Sequence, residues 1–182
     1  MGLDSVELLI EIEEAFDISI PDEAAVKMRT PGDIFGYLAG SSFRAMPIGP
    51  CLSQAVFNRL RRAIVAEFGD GRFGMKPKME IIRSIPQFLV GARRKSLLKR
   101  LDFRRPTPIL ADTNWFRHDY GTFGDLAMDI LARNYGTLAQ EAGAWNPDEA
   151  WDCLRHIISR QLGVNIEKVT RNASLANDLG LS

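Results

Sequence analysis

Ser5 stands between Asp4 and Val6, and four carboxylates follow it at Glu7, Glu11, Glu13 and Glu14. A serine hydroxyl near the start of an amphipathic acidic helix can be esterified. A phosphate joined to it there would meet the unsatisfied backbone N–H groups and the positive end of the helix dipole. The carboxylates would face basic surfaces on other proteins, a complementarity that favours encounter more than tight binding.

Other chemistry-bearing residues form no comparable pattern. Cys51 and Cys153 fit neither a disulfide framework nor a zinc spacing, and His118 and His156 stand apart from them, so no metal is implied. Asp112, His118, Asp119 and Asp125 cluster around Trp115 without a metal spacing or a nucleophile pattern. Phe57, Trp115, Trp145 and Trp151 read as core or linker-packing residues. Nothing here resembles an enzyme's constellation.

Charge is distributed unevenly although 23 basic and 23 acidic residues cancel. Residues 1–40 hold nine acids against two bases, residues 41–140 hold eight against seventeen, and residues 141–182 hold six against four. Arg93, Arg94, Lys95, Lys99, Arg100, Arg104 and Arg105 concentrate the basic charge. Such a run serves as a solvated face or as a dock for the acidic head, within one chain or across a dimer. Nucleic acid is not expected as a partner, because no DNA-reading motif or interleaved aromatics accompany it. No apolar run approaches the ~20 residues of a membrane span, and Met1 leads directly into acidic helix, so a cytoplasmic protein is expected.

Periodicity makes the chain all-α. Val6, Leu9, Ile10, Ile12 and Phe16 recur at helical spacing, with Asp4 three before Glu7 as a capping-box variant. A loop through Pro21, a short turn over 23–28 and a Thr30-capped helix to about Leu38 follow. GSSFRAMPIGP (40–50) has linker composition. Further helices are expected over 52–68, 90–103, 122–134 and 148–162.

Two internal repeats link these pieces. FNRLRRAIVAEFGDGRFGMKPKMEIIRSIP (57–86) aligns without a gap on WDCLRHIISRQLGVNIEKVTRNASLANDLG (151–180), pairing Phe57 with Trp151, Leu60 with Leu154, Ile64 with Ile158, Gly69 with Gly163 and Met75 with Val169. TPGDIFGYLA (30–39) matches TFGDLAMDIL (122–131), each with a Thr cap, a Gly and an Asp before the apolar run.

The two ends of the chain together resemble the acyl carrier proteins, four-helix carriers of a 4′-phosphopantetheine arm. LDSVELLIEIEEAFDISIPDEAAVKMRTPGDIFGYL (3–38) looks like that family's second half, and residues 151–181, with L-G-V, V-T-x-x-A-S-L and D-L-G, look like its first. The order is reversed, as in a circular permutation. The resemblance implies a four-helix bundle from residues 1–40 and 145–182, paired within the chain or by swapping, with 51–134 a second, degenerate and basic carrier-like helical domain and 41–50 and 135–144 linkers.

It further implies a non-enzymatic carrier of acyl thioesters for fatty-acid, polyketide or related biosynthesis. A phosphopantetheinyl transferase would load it, and acyl-handling enzymes would dock on Asp4, Glu7, Glu11, Glu13 and Glu14. Ser5 is the candidate attachment residue, although it stands about one turn nearer Phe16 than a carrier serine does, and Gly2 takes that serine's place in the ungapped register. A carrier fold without its arm, kept as an interaction or scaffold module, is the alternative; a sequence lacking the acceptor serine, or one using Ser182, is a third. Near Leu89, the matching place in the middle segment, there is no Asp-Ser pair, so no arm is expected there.

Overall fold

The computed structural model describes residues 2–41, 43–68, 74–80, 92–105 and 121–181, with backbone only for Phe68 and 92–94. Leu89, Trp115 with Asp112, His118 and Asp119, the Arg93 and Arg94 side chains, and Ser182 lie outside what is described, whereas Asp125 lies within it. The described residues form seven α-helices and no strand, as the periodicity requires. They are α1 (Leu3–Phe16), α2 (Asp22–Ala25), α3 (Pro31–Gly40), α4 (Leu52–Phe68), α5 (Ala92–Leu101), α6 (Phe123–Ala142) and α7 (Pro147–Leu162), followed by a 3-10 turn at Ile166–Lys168.

The chain divides into two compact units. The first joins Met1–Pro50 to Ala132–Ser182, and the second is Cys51–Leu131. The helix α6 contributes its first part to the second unit and the rest to the first.

In the first unit, α7 packs on α1 and α3. Local chemistry sets each helix boundary. Thr30 Oγ1 accepts from Asp33 N while Asp33 Oδ2 accepts from Thr30 N, a reciprocal box that starts α3. Asn146 Oδ1 accepts from the N–H groups of Asp148 and Glu149, with Pro147 at the first helical position of α7. Gly163, at φ 65°, supplies the left-handed residue that ends α7.

Sequence expectation and structure differ over α1. The helix starts at Leu3 with Gly2 as its N-cap and no side-chain cap, so Asp4 lies in the first turn and the Asp4/Glu7 box is absent. Its buried face is Ser5, Leu8, Ile12, Ala15 and Phe16, while Val6 and Ile10 are 42% and 47% exposed. Two apolar stripes compete on this helix, and α7 covers the one containing Leu8.

The presumed linkers also prove structural. The helix α6 continues to Ala142, because Tyr135 and Ala139, one turn apart, are both fully buried. Phe43 is buried against Phe16 (centroids 6.1 Å), Tyr135 (5.9 Å) and Trp145 (5.3 Å, stacked). Gly49 N donates to Trp145 O at 2.9 Å and Trp145 N to Pro47 O at 3.1 Å, which pins the segment 43–50.

In the second unit, α4 packs on α5 through Leu60, Ile64, Leu97 and Leu101. Ser96 Oγ donates to Glu67 Oε2 at 2.6 Å, and Arg100 Nε reaches the same oxygen at 3.2 Å. The Arg59 guanidinium lies 4.4 Å from the Phe103 ring centroid and donates to Asp102 O at 2.9 Å.

Each unit carries the same joint at one helix start. Thr122 and Asp125 repeat the reciprocal box of Thr30 and Asp33. Gly32 N donates to Arg171 O at 2.9 Å, and Gly124 N donates to Pro77 O at 2.8 Å. Pro77 and Arg171 are partners in the ungapped repeat of 57–86 on 151–180. Leu60 and Leu154, Ile64 and Ile158, and Met75 and Val169 are buried pair by pair; Gly69 lies outside the described residues.

Candidate functional site at the start of α1

A cavity of about 410 Å³ opens beside the first turn of α1. Gly2, Ser5, Leu8 and Leu9 form one wall, Val26 and Met28 another, and Ile34, Leu175 and Leu181 close it. Segments far apart in sequence are fastened around it. Leu175 N donates to Arg29 O at 2.9 Å, and Leu181 N donates to Leu175 O at 2.8 Å. The turn between them is held by Ser174 N donating to Asp178 Oδ2 at 2.7 Å and Asn177 N donating to Ser174 Oγ at 3.1 Å. Its size and mostly aliphatic lining suit a flexible apolar chain.

Ser5 lies in the first turn of α1 on the cavity side and is 9% exposed. Its Oγ donates to Gly2 O at 2.9 Å. Gly2, the N-cap, is exposed, and its backbone, at φ −74° and ψ 172°, is ordinary extended chain open to any residue.

The acidic residues divide by role. Asp4, Glu7 and Glu14 are exposed. Glu11 is half-buried in an ion pair with Arg160 of α7, and Glu7 Oε2 accepts from Gln161 Nε2 at 3.4 Å. Glu13 Oε1 accepts from Ile20 N at 2.6 Å and so clamps the loop after α1, whose left-handed turn falls at Asp17. The outward stripe of α1 therefore mixes carboxylates with Leu3 (74% exposed), Val6 and Ile10. Sequence periodicity had turned Val6 and Ile10 inward; tertiary packing leaves them outside.

The Asp33 carboxyl is held below the usual carboxylate range, chiefly by the Arg29 backbone N–H and secondarily by Thr30. Burial pushes the Cys153 thiol well above its ordinary value, with Glu149 and Asp152 adding to it. No group of three or more metal-ligating side chains occurs among the described residues.

Part of this chain is similar to known acyl carrier proteins. It is 62% identical over 38 residues to the acyl carrier protein of Syntrophobacter fumaroxidans, covering 21% of this chain and 47% of that one. It is 51% identical over 40 residues to the mitochondrial acyl carrier protein of Saccharomyces cerevisiae, covering 22% of this chain and 32% of that one. The chain thus spans less than half the length of these curated relatives. No protein-family profile matches the chain. No solved structure matches it either. No helix among the described residues is long and apolar enough to cross a membrane.

Proposed function

We propose that the first unit is an acyl-carrier-type domain, a non-catalytic module that houses an acyl chain in the cavity beside α1 and presents it to acyl-handling enzymes docking on the outer face of that helix. One observation carries this reading: an acidic and apolar outer stripe and an aliphatic cavity share the first turns of a single helix. The similarity to acyl carrier proteins supports it. Loading would fall to a phosphopantetheinyl transferase, the enzyme class that services such domains.

The reading includes a circular permutation. It is supported by α7, late in the chain, packing on α1 within one chain, and by the Glu11–Arg160 pair across that packing. The second unit reads as a degenerate copy, supported by its matching helix-start joint.

A 4′-phosphopantetheine arm supplies a thiol that holds acyl groups as thioesters, and Ser5 is the candidate residue for it. Ser5 is not seated as an exposed acceptor: the residue is 9% exposed on the cavity side of the helix, and its Oγ donates to the Gly2 carbonyl at 2.9 Å. That observation favours a second reading, in which the fold docks with acyl-handling enzymes without an arm on Ser5.

The two readings separate in one experiment. The purified chain is incubated with coenzyme A, Mg²⁺ and a promiscuous phosphopantetheinyl transferase, then its intact mass is measured. A gain of one arm that disappears in Ser5→Ala establishes attachment at Ser5. No gain in the native chain, with a gain in Gly2→Ser, establishes the armless fold. No gain in either sinks the recognition of this helix by the transferase.

A further inference from the structure

The second unit holds a cavity of about 480 Å³ that the proposed carrier function does not use. Phe57 of α4, Pro77, and Gly124, Ala127 and Met128 of α6 surround it, with Gln54 and Asn58 at its polar edge. Its origin is legible from the duplicated joint. In the first unit the corresponding place is filled. The Phe35 ring stands edge-on to Trp151, with centroids 5.6 Å apart at 83°, and the Arg171 guanidinium lies 4.4 Å from one ring and 4.5 Å from the other.

The repeats pair Trp151 with Phe57, Arg171 with Pro77 and Phe35 with Ala127. Backbone geometry supports that pairing independently, since Gly32 and Gly124 donate to the carbonyls of Arg171 and Pro77 at 2.9 and 2.8 Å. The second unit therefore keeps the frame of an aromatic seat. It lacks the ring that belongs in it.

We infer that this cavity is a binding site for a small aromatic molecule, with the ligand ring taking the place that Phe35 takes in the first unit. Phe57 offers an aromatic neighbour for an edge-to-face contact, and Pro77 and Met128 supply apolar and polarisable surface. Gln54 and Asn58 can hydrogen-bond a polar substituent or a ring N–H at the edge. A mixed lining of this kind, apolar with a few amides, is typical of small-molecule sites.

The test uses indole as probe on the full chain carrying ¹³C-methyl methionine. Six methionines give six signals, and Met128→Leu identifies the one that matters. Indole is expected to shift the Met128 signal saturably, with a dissociation constant on the order of 1 mM for so small a ligand. Ala127→Phe, which returns a ring to the seat, is expected to weaken indole at least tenfold. Gln54→Trp changes an exposed residue at the cavity edge and decides the matter if Ala127→Phe does not fold, with the same loss expected. The inference is overturned if the Met128 signal does not saturate, if cyclohexanol binds as well as indole, or if both folded variants bind indole unchanged.

Discussion

Gly136 of α6 lies so close to the backbone of Phe16 at the end of α1 that a methyl group on it would overlap the Phe16 carbonyl. Glycine in mid-helix ordinarily costs ~1 kcal/mol relative to alanine, so substituting it should help. Here the sign reverses. Gly136→Ala is expected to destabilise the chain by about 3 kcal/mol, because the blocking atoms are backbone and cannot rotate away. Gly36→Ala on α3 is the control, with nothing within 4 Å of its added methyl, and should stabilise by up to ~1 kcal/mol. Denaturant unfolding of both variants checks the pair, and equal effects would dismiss the close approach.

The duplicated joint makes a second prediction. A methyl on Gly32 would stand 2.6 Å from Arg171 O, and one on Gly124 would stand 3.1 Å from Pro77 O. Gly32→Ala should therefore cost roughly 2 kcal/mol and Gly124→Ala roughly half as much or less. Thr30→Ala and Thr122→Ala should each cost ~1 kcal/mol through the lost cap. Thermal melts of the four variants test the expected order.

Acid sensitivity follows from Asp33. Its folded-state pKa is depressed below the unfolded value, so the reciprocal box contributes fully above the ordinary carboxylate range. That contribution is lost as pH falls through the depressed value. Melting temperature followed from pH 7 to pH 2 should drop less steeply in Asp33→Asn than in the native chain. Parallel curves would remove Asp33 from the account.

Cysteine reactivity should divide sharply. Cys51 is exposed, and Cys153 is fully buried with its thiol kept protonated by burial. Iodoacetamide at neutral pH should modify Cys51 alone, and Cys153 only after denaturant is added. The Cys153 and Tyr135 pKa values are both raised by burial, so the stability they support is present below the ordinary thiol and phenol values and lost as pH rises above them. Rapid labelling of Cys153 in the native chain would contradict the core around α7.

Much of this architecture is legible in the sequence because its signals are local. The Thr-x-x-Asp boxes, the helix-ending Gly163 and the 17-residue α4 follow from capping chemistry and periodicity alone. The inward face of α1 is not local: Val6 and Ile10 are as apolar as Leu8 and Ile12, and only tertiary packing chooses between them. Residues 135–144 read as a linker, yet α6 runs through most of them and the approach of Phe16 requires glycine at Gly136. The seat of Ser5 escapes sequence reasoning for the same reason, since the cavity beside it is walled by Leu175 and Leu181.

The Glu11–Arg160 pair joins residues 149 positions apart, and the inner face of α1 is covered by the helix that carries Arg160. During translation α1 must therefore leave the ribosome long before α7, which packs on it, exists. The second unit, Cys51–Leu131, is contiguous in sequence, whereas the first is assembled from both ends of the chain. Nascent chains stalled before α7 should accordingly show a sticky, chaperone-bound head that matures only once α7 is released.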